Sequence, residues 1–395
     1  MSESDEQEAT KGCGPLRGVR VLDVATVIAG PGAARHLADF GADVIKVERP
    51  GGDNTRGMGW TIPGDPDSLF WKLVNRGKRS IVLDLKSPAG LTTLKDLART
   101  SDILIENMRP GRLEKLGIGP EVLHDINPRL VILRVSGFGQ TGPYSQRPGF
   151  ATIAEALSGF SDLSGTPGGA PLLPPIALTD EVTGLIGAFA CLLALRHAER
   201  TGAGQVVDVN LLDSMIQIMG PLPSAWAHLG YLQPRMGSGI PYTVPRGTYQ
   251  CADGVWVALS ASADSVAQRL LNLLGVGHDE RFRDFQGRFE HRAELEQHTA
   301  DWIGARTSVD VIASFEAVDA AIAPVYTMRE VVEDPHIKER RSLRTVDGIL
   351  MQSVVARLEL TPGYVQRGAP SLGEHTREVL EEIHDRQMGD SSAES

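Results

Sequence analysis

The sequence predicts an α/β protein built on a doubly wound, mostly parallel sheet, with a second, smaller α+β domain after it. Three observations carry that reading. Short apolar runs alternate with helical patterns as far as Asn210, the signature of βαβ units. From about Gln233 the pattern changes to short strands joined by Gly and Pro turns. A chain of 395 residues is also longer than one ordinary core supports, so two domains are expected.

Residues 1–15 are polar and acidic and read as a loose tail. GVRVLDVA (18–25) reads as the first strand, Gly30-Pro31-Gly32 as a turn, 33–40 as a helix and ADVIKVE (42–48) as a second strand. Such a unit implies a right-handed parallel connection. RSIVLDL (79–85), DILIEN (102–107) and LVILRVSG (130–137) add strands, with a helix over 88–99, giving a Rossmann-like layout. Thr179 and Asp180 then precede an apolar run, Val182, Leu185, Ile186, Phe189, Leu192, Leu193 and Leu195, that closes on Arg196, Arg200 and Gly202. This is one well-delimited helix with Asp180 at or next to its N-terminus. QVVDVNLL (205–212) gives a further strand leading into another helix. In the smaller domain helices are expected over 265–274, 292–306 and 309–318; SLRTVDG (342–348) leads back to the first domain, and 376–383 closes the chain as a helix. The expected boundaries are 16–225 with 345–395 for the large domain and 235–335 for the small one, joined by linkers 226–234 and 336–344.

A net charge of −11 argues against nucleic acid as a partner. No apolar stretch reads as long and uncharged enough to span a bilayer, and no signal-peptide pattern opens the chain, so no membrane partner is expected. Cys13, Cys191 and Cys251 are widely spaced, which suits a reducing cytoplasm. The ten histidines show no metal-ligand spacing, and no metal is expected. Gly30, Gly32 and Glu48 imitate a dinucleotide fingerprint, but Arg35 occupies the place of the third glycine.

Asp180 has two compatible readings: a carboxylate stabilised at a helix N-terminus, or a nucleophile. Arg49 and the basic turn of Asn75, Arg76, Lys78 and Arg79 lie near strand ends, where phosphate-bearing ligands bind doubly wound sheets; a solvated turn is the plainer alternative. Cys191 lies among apolar helix positions and Cys251 has no histidine beside it in sequence, so neither stands out as a nucleophile.

Several ordered blocks set the function. GVRVLDVATVIAGPGAARHLADFGADVIKVERPGGDNTR, NRGKRSIVLDLKSPAG, DILIENMRPG, LVILRVSGFGQTGPY, the Asp180 segment and LGEHTREVL resemble the family III CoA transferases from about Leu16 to Ile383. The resemblance implies acyl-CoA and a free carboxylic acid as substrates, no prosthetic group, and an interlocked homodimer. It makes Asp180 the covalent nucleophile, acting through a mixed anhydride and an aspartyl-CoA thioester. It places Thr26, Val27, Ala29, Asn107 and Met108 against coenzyme A, favours Arg49 and Arg76 for its nucleotide, and puts Lys115 where relatives carry a basic residue. Gly237, Ser238 and Gly239 are the nearest match to a glycine-rich loop that closes over the aspartate. The related α-methylacyl-CoA racemases need a histidine where this chain has Phe150, and none lies elsewhere between Gly137 and Asp180, which favours transfer. A racemase and a non-catalytic CoA-ester-binding protein are the alternatives. Trp60, Trp226 and Tyr242 hint at apolar surfaces without selecting an acid.

Overall fold

The computed structural model describes residues 14–261 and 263–393; Cys13 and the expected tail up to residue 13 lie outside them. One parallel sheet holds β1 (Arg20–Asp23), β2 (Asp43–Glu48), β3 (Lys78–Val82), β4 (Ile103–Glu106), β5 (Val131–Ser136) and β6 (Val206–Asn210), in the order β3-β2-β1-β4-β5-β6. Leu22 of β1 pairs with Ile45 on one side and Leu104 on the other, in register. The central strands hold short apolar runs because helices cover both faces, with buried charges such as Asp23, Lys46 and Glu106 among them. Leu94, Leu97 and Ala98 of one helix and Val379 of the last helix bury one face with Ile81, Leu104 and Ile132.

The helices that matter for the site are α1 (Ala29–Ala38), α2 (Pro88–Arg99), α3 (Ala151–Leu157), α4 (Leu178–Thr201) and α5 (Leu211–Ile218). α2 covers 88–99 as the sequence predicts: Ser87 caps it by accepting from the Gly90 N–H at 3.0 Å, and Pro88 opens it. Gly30-Pro31-Gly32 is not a turn. It forms the first turn of α1, where the missing N–H of proline has no intrahelical partner to lose.

α4 corrects a second expectation. It is 24 residues long with a mean hydropathy of 1.6, enough by length and composition to cross a membrane. Gly184, Gly187, Ala188, Cys191 and Ala194 are nevertheless buried, and α4 runs along α1 and β5. An added Cβ at Gly184 would sit 3.1 Å from the Ala29 carbonyl oxygen, and one at Gly187 3.1 Å from Leu133. These glycines let α4 press onto the start of α1, which fixes where Asp180 lies. Gly202, in the left-handed region at φ 75°, ends the helix.

The chain divides into two compact units, one comprising residues up to Ser158, Pro174–Gly220 and His336 onward, the other Gly159–Leu173 and Pro221–Pro335. Residues 159–173 therefore belong with the second unit rather than the large domain. The Gly237 N–H donates to the Gly165 carbonyl at 2.9 Å and Arg235 pairs with Asp162 at 2.9 Å, both within that unit. Residues 226–234 fall within the second unit and 336–344 within the first, instead of standing as linkers.

The second unit carries an antiparallel sheet of β7 (Arg246–Gln250), β8 (Trp256–Ser260) and β9 (Ile322–Pro324), packed by α6 (Asp264–Leu273), α7 (Arg292–Gly304) and α8 (Ser308–Ala317). Val257, Leu270, Ile303 and Phe315 are the centre of its core. In the first unit, a hairpin of β10 (Leu343–Val346) and β11 (Ile349–Gln352) precedes the closing helix α9 (Thr376–Ala393).

Candidate active site

A cleft of about 400 Å³ opens at the carboxyl ends of β1, β4 and β5. Connections leave β1 and β4 toward opposite sides of the sheet, so this is its topological switch point, where doubly wound folds place ligands. Thr26, Val27 and Ala29 line it from the loop after β1, Asn107 and Met108 from the loop after β4, and Asp180 from the start of α4. Six residues picked from sequence thus come together across a separation of more than 150 positions.

Local bonds hold each in place. Asn107 accepts from the Thr26 N–H at 2.9 Å and donates to the Thr26 carbonyl at 2.7 Å, locking the two loops edge to edge. The Met108 N–H donates to buried Glu106 at 2.6 Å, and Arg134 pairs with that same Glu106 at 2.7 Å. Val27 has φ 69°, a left-handed conformation that a β-branched residue adopts only when its surroundings impose it.

Asp180 lies in the first turn of α4 and is not its N-cap, which is Ala177. Its carboxylate takes no hydrogen bond or ion pair among the described residues. Burial, then the nearby Glu155 and Glu181, raise its pKa to about 6. The acid is therefore not held at a low pKa by the helix start, as a capping role implies, although it remains mostly ionised at neutral pH. Glu155, on α3 and 4% exposed, accepts from the Thr179 hydroxyl at 2.8 Å. Glu181 pairs with Arg35 of α1 at 3.2 Å. Phe150, the N-cap of α3, lines the same cleft, whose lining contains no histidine.

A second, narrower cleft of about 200 Å³ shares Thr26 and Met108 with the first. Val24, Val47, Leu83 and Leu85 give it apolar walls, and Arg49, Lys86 and Arg112 supply positive charge. Arg49 is set by donating to the Gly52 carbonyl at 3.0 Å and to Asn54 at 2.7 Å. Glu48, Asp53 and Asp84 line it too, the first two engaged by Arg56 and Lys46; the apolar walls and three cations suit a planar base with phosphates. Lys86 and Arg112 escape sequence reasoning; the available signal is position, each standing shortly after a strand, β3 and β4 respectively.

The basic turn does not reach either cleft. Arg76, 2% exposed, makes a two-pronged pair with Asp39 at 3.1 and 2.7 Å. Lys78 is wholly buried and donates to Asp23, the Pro31 carbonyl and Asn75 at 2.8–2.9 Å; burial lowers its pKa to about 8 against the pull of Asp23. Arg79 joins Asp43, Glu378 and Glu382, fastening α9 to β2 and β3. These three charges brace the sheet. Lys115 is exposed and lies outside both linings, on the short helix that Arg112 opens. Gly237 and Gly239 belong to the second unit, in a turn where Arg246 donates to the Ser238 carbonyl at 2.7 Å.

The dinucleotide decoy fails for similar reasons. Glu48 is buried and engaged by Arg56, Ser80 and the Asp53 N–H, and its glycines lie inside α1. Burial pushes the Cys191 thiol up to about 12 and also raises Cys251, so neither is a ready thiolate. Among the described residues no group of three or more His, Cys, Asp or Glu is placed to hold a metal.

Fold and cleft together define an α/β enzyme that presents a lone carboxylate beside a cation-rimmed slot at the switch point of its sheet. The chain belongs to CoA-transferase family III, whose model matches residues 16–376, and it is an enzyme of CoA transfer. It is similar to the succinyl-CoA:L-malate CoA-transferase beta subunit of Chloroflexus aurantiacus, at 42% identity over 381 residues, covering 93% of this chain and 94% of that protein. It is also similar to the succinate:glutarate CoA-transferase of Agrobacterium fabrum, at 36% identity over 93% of this chain and 96% of that one. A CaiB/BaiF family protein from Brucella suis superposes with a TM-score of 0.84 at 32% identity, covering 94% of this chain and 99% of the other. The family read from the ordered sequence blocks is the family found.

Proposed function

We propose that the enzyme moves CoA from an acyl-CoA donor to a free carboxylic acid through covalent intermediates on Asp180, and that both acids are short dicarboxylates. The observation that carries the mechanism is the partnerless carboxylate of Asp180, desolvated at the edge of the strand-end cleft. A carboxylate with a pKa of about 6 is a better nucleophile than an ordinary aspartate and is still about nine-tenths ionised at pH 7.

In the first step an Asp180 oxygen attacks the thioester carbonyl, the C–S bond breaks, and CoA leaves as thiolate. The thiolate then attacks the Asp180 carbonyl carbon of the mixed anhydride, releasing the donor as free carboxylate and leaving an aspartyl-CoA thioester. The acceptor carboxylate attacks that thioester, expelling the thiolate. The thiolate finally attacks the acceptor acyl carbon and regenerates Asp180. No proton is gained or lost overall. Backbone N–H groups in the first turn of α4 favour the negative charge that gathers on the tetrahedral intermediates. The cation-rimmed slot would take the nucleotide end of CoA. The choice of dicarboxylates rests on the acids named for the relatives, malate, succinate and glutarate.

We also read the active form as a homodimer; Leu185, Phe189 and Leu193 of α4 are more than half exposed, an apolar face that a second copy of the chain would cover. The test incubates the enzyme with succinyl-CoA and a panel of acids, following CoA thioesters and intact protein by mass spectrometry. Without an added acceptor the protein should gain the mass of CoA less one water on the peptide bearing Asp180. Asp180→Ala should show neither adduct nor turnover, and transfer retained by that variant would overturn the mechanism.

A further inference from the structure

Resting on the transferase reading above, we infer that Arg147 is the residue that selects dicarboxylic acids, by receiving the carboxylate of the acyl group that is not being activated. The lining of the Asp180 cleft contains two arginines, Arg109 and Arg147, and neither makes an ion pair among the described residues. The loops that carry them meet, the Gln146 side chain donating to the Pro110 carbonyl at 3.3 Å, and both arginines line only the Asp180 cleft. Among the described residues it is Arg147, not Arg109, whose guanidinium is held in place.

The loop carrying Arg147 is held firmly. Gly149 lies so close to Gly137, at the end of β5, that a Cβ on either would come within 2.7 Å of the other's Cα. Phe138 meets Tyr144 edge to face at 5.9 Å, and the Arg147 N–H donates to the Tyr144 carbonyl at 2.8 Å. The Arg147 guanidinium lies over the Tyr144 ring, 3.7 Å from its centre. Stacking occupies the face of the guanidinium and leaves its N–H edge free, the edge that meets a carboxylate two-pronged. A dicarboxylate bound with one carboxyl at Asp180 carries a second negative charge only a few carbons away. Without a facing cation that charge would be desolvated against the acidic group of Asp180, Glu155 and Glu181.

The experiment measures kcat/KM for glutarate and for its chain-length match valerate, with saturating succinyl-CoA, in the unaltered enzyme and in Arg147→Leu and Arg147→Lys. Thermal melts of all three confirm folding. Arg147→Leu should lower the glutarate-to-valerate ratio about ten- to hundredfold, mostly through KM for glutarate, with valerate changing by about twofold or less. Arg147→Lys should restore part of the ratio, because it keeps the charge and loses the fork. An unchanged ratio, or an equal loss on both acids, would overturn the assignment of Arg147 while leaving the transferase reading intact. Absence of any new thioester from the unaltered enzyme would instead overturn the reading on which it rests.

Discussion

Replacing Asp180 by asparagine should inactivate the enzyme and at the same time stabilise it. The carboxyl goes from an ordinary 3.8 to about 6 on folding, first through burial and then through Glu155 and Glu181. Each unit corresponds to ~1.4 kcal/mol, so a rise of roughly 2 units sets the ionised group against the fold by about 3 kcal/mol at most. Partial exposure of the side chain reduces this to roughly 1–2 kcal/mol. The sign follows from the raised value. Below about pH 4 the group is protonated in both states and contributes nothing; as the pH rises through 6 the folded state alone resists ionisation and loses stability. The asparagine side chain carries no charge at any pH, so the advantage of the Asp180→Asn variant should be absent near pH 4, grow up to about pH 6 and stay level above. Melting curves of the two proteins, taken every half unit from pH 4.5 to 8, should diverge by roughly 1–3 °C at the alkaline end. A difference that is the same at pH 4.5 and 7.5, or an asparagine variant that melts lower at pH 7.5, would refute the reasoning.

Two further outcomes are expected. Glu155→Gln keeps an oxygen to accept from the Thr179 hydroxyl but removes a charge that raises Asp180, so the acidic limb of the kcat/KM profile should move to lower pH by up to about one unit; an unmoved or raised limb would contradict the arrangement. Arg76→Ala leaves Asp39 buried without its partner and should destabilise the protein by about 3–5 kcal/mol in denaturant titrations, while the KM for the CoA donor stays within about twofold; a large rise in that KM at unchanged stability would return Arg76 to the binding site.

Much of the fold is legible in the chain because the middles of the central strands are buried on both faces and so favour consecutive apolar residues. Leu22, Ile45, Leu104 and Ile132 sit in such short runs, with buried charges such as Asp23, Lys46 and Glu106 among them, and Ser87-Pro88 marks where α2 starts. Helix edges are less legible: Gly30-Pro31-Gly32 has turn composition, yet the first turn of a helix makes no demand on the N–H that proline lacks.

The site divides along a similar line. Asp180 stands out because it falls at the junction between a loop and a long apolar helix, and Phe150 because it replaces a group that proton shuttling would need. Both are local facts. The basic turn is misleading because sequence displays a charge but not its partner: Asp39 lies 37 positions from Arg76, and Glu382 lies 303 positions from Arg79. Once those carboxylates close over the guanidinium groups, the turn braces the sheet. Lys86, Arg112 and Arg147 are the converse case: position after a strand is the only local signal for the first two, and the arrangement of strand ends brings all three to the clefts, while Glu155 reaches the start of α4 through the Thr179 hydroxyl.

By itself, then, the sequence determined the parallel sheet, the family and the place of Asp180 at the start of a long helix, because each is set by residues near one another along the chain or by blocks in fixed order. Which cations are free, which are neutralised, and how acidic Asp180 is were decided by the tertiary structure alone. Charge is felt through space, and burial is a property of what packs around a group, so neither can be read until the chain has closed on itself.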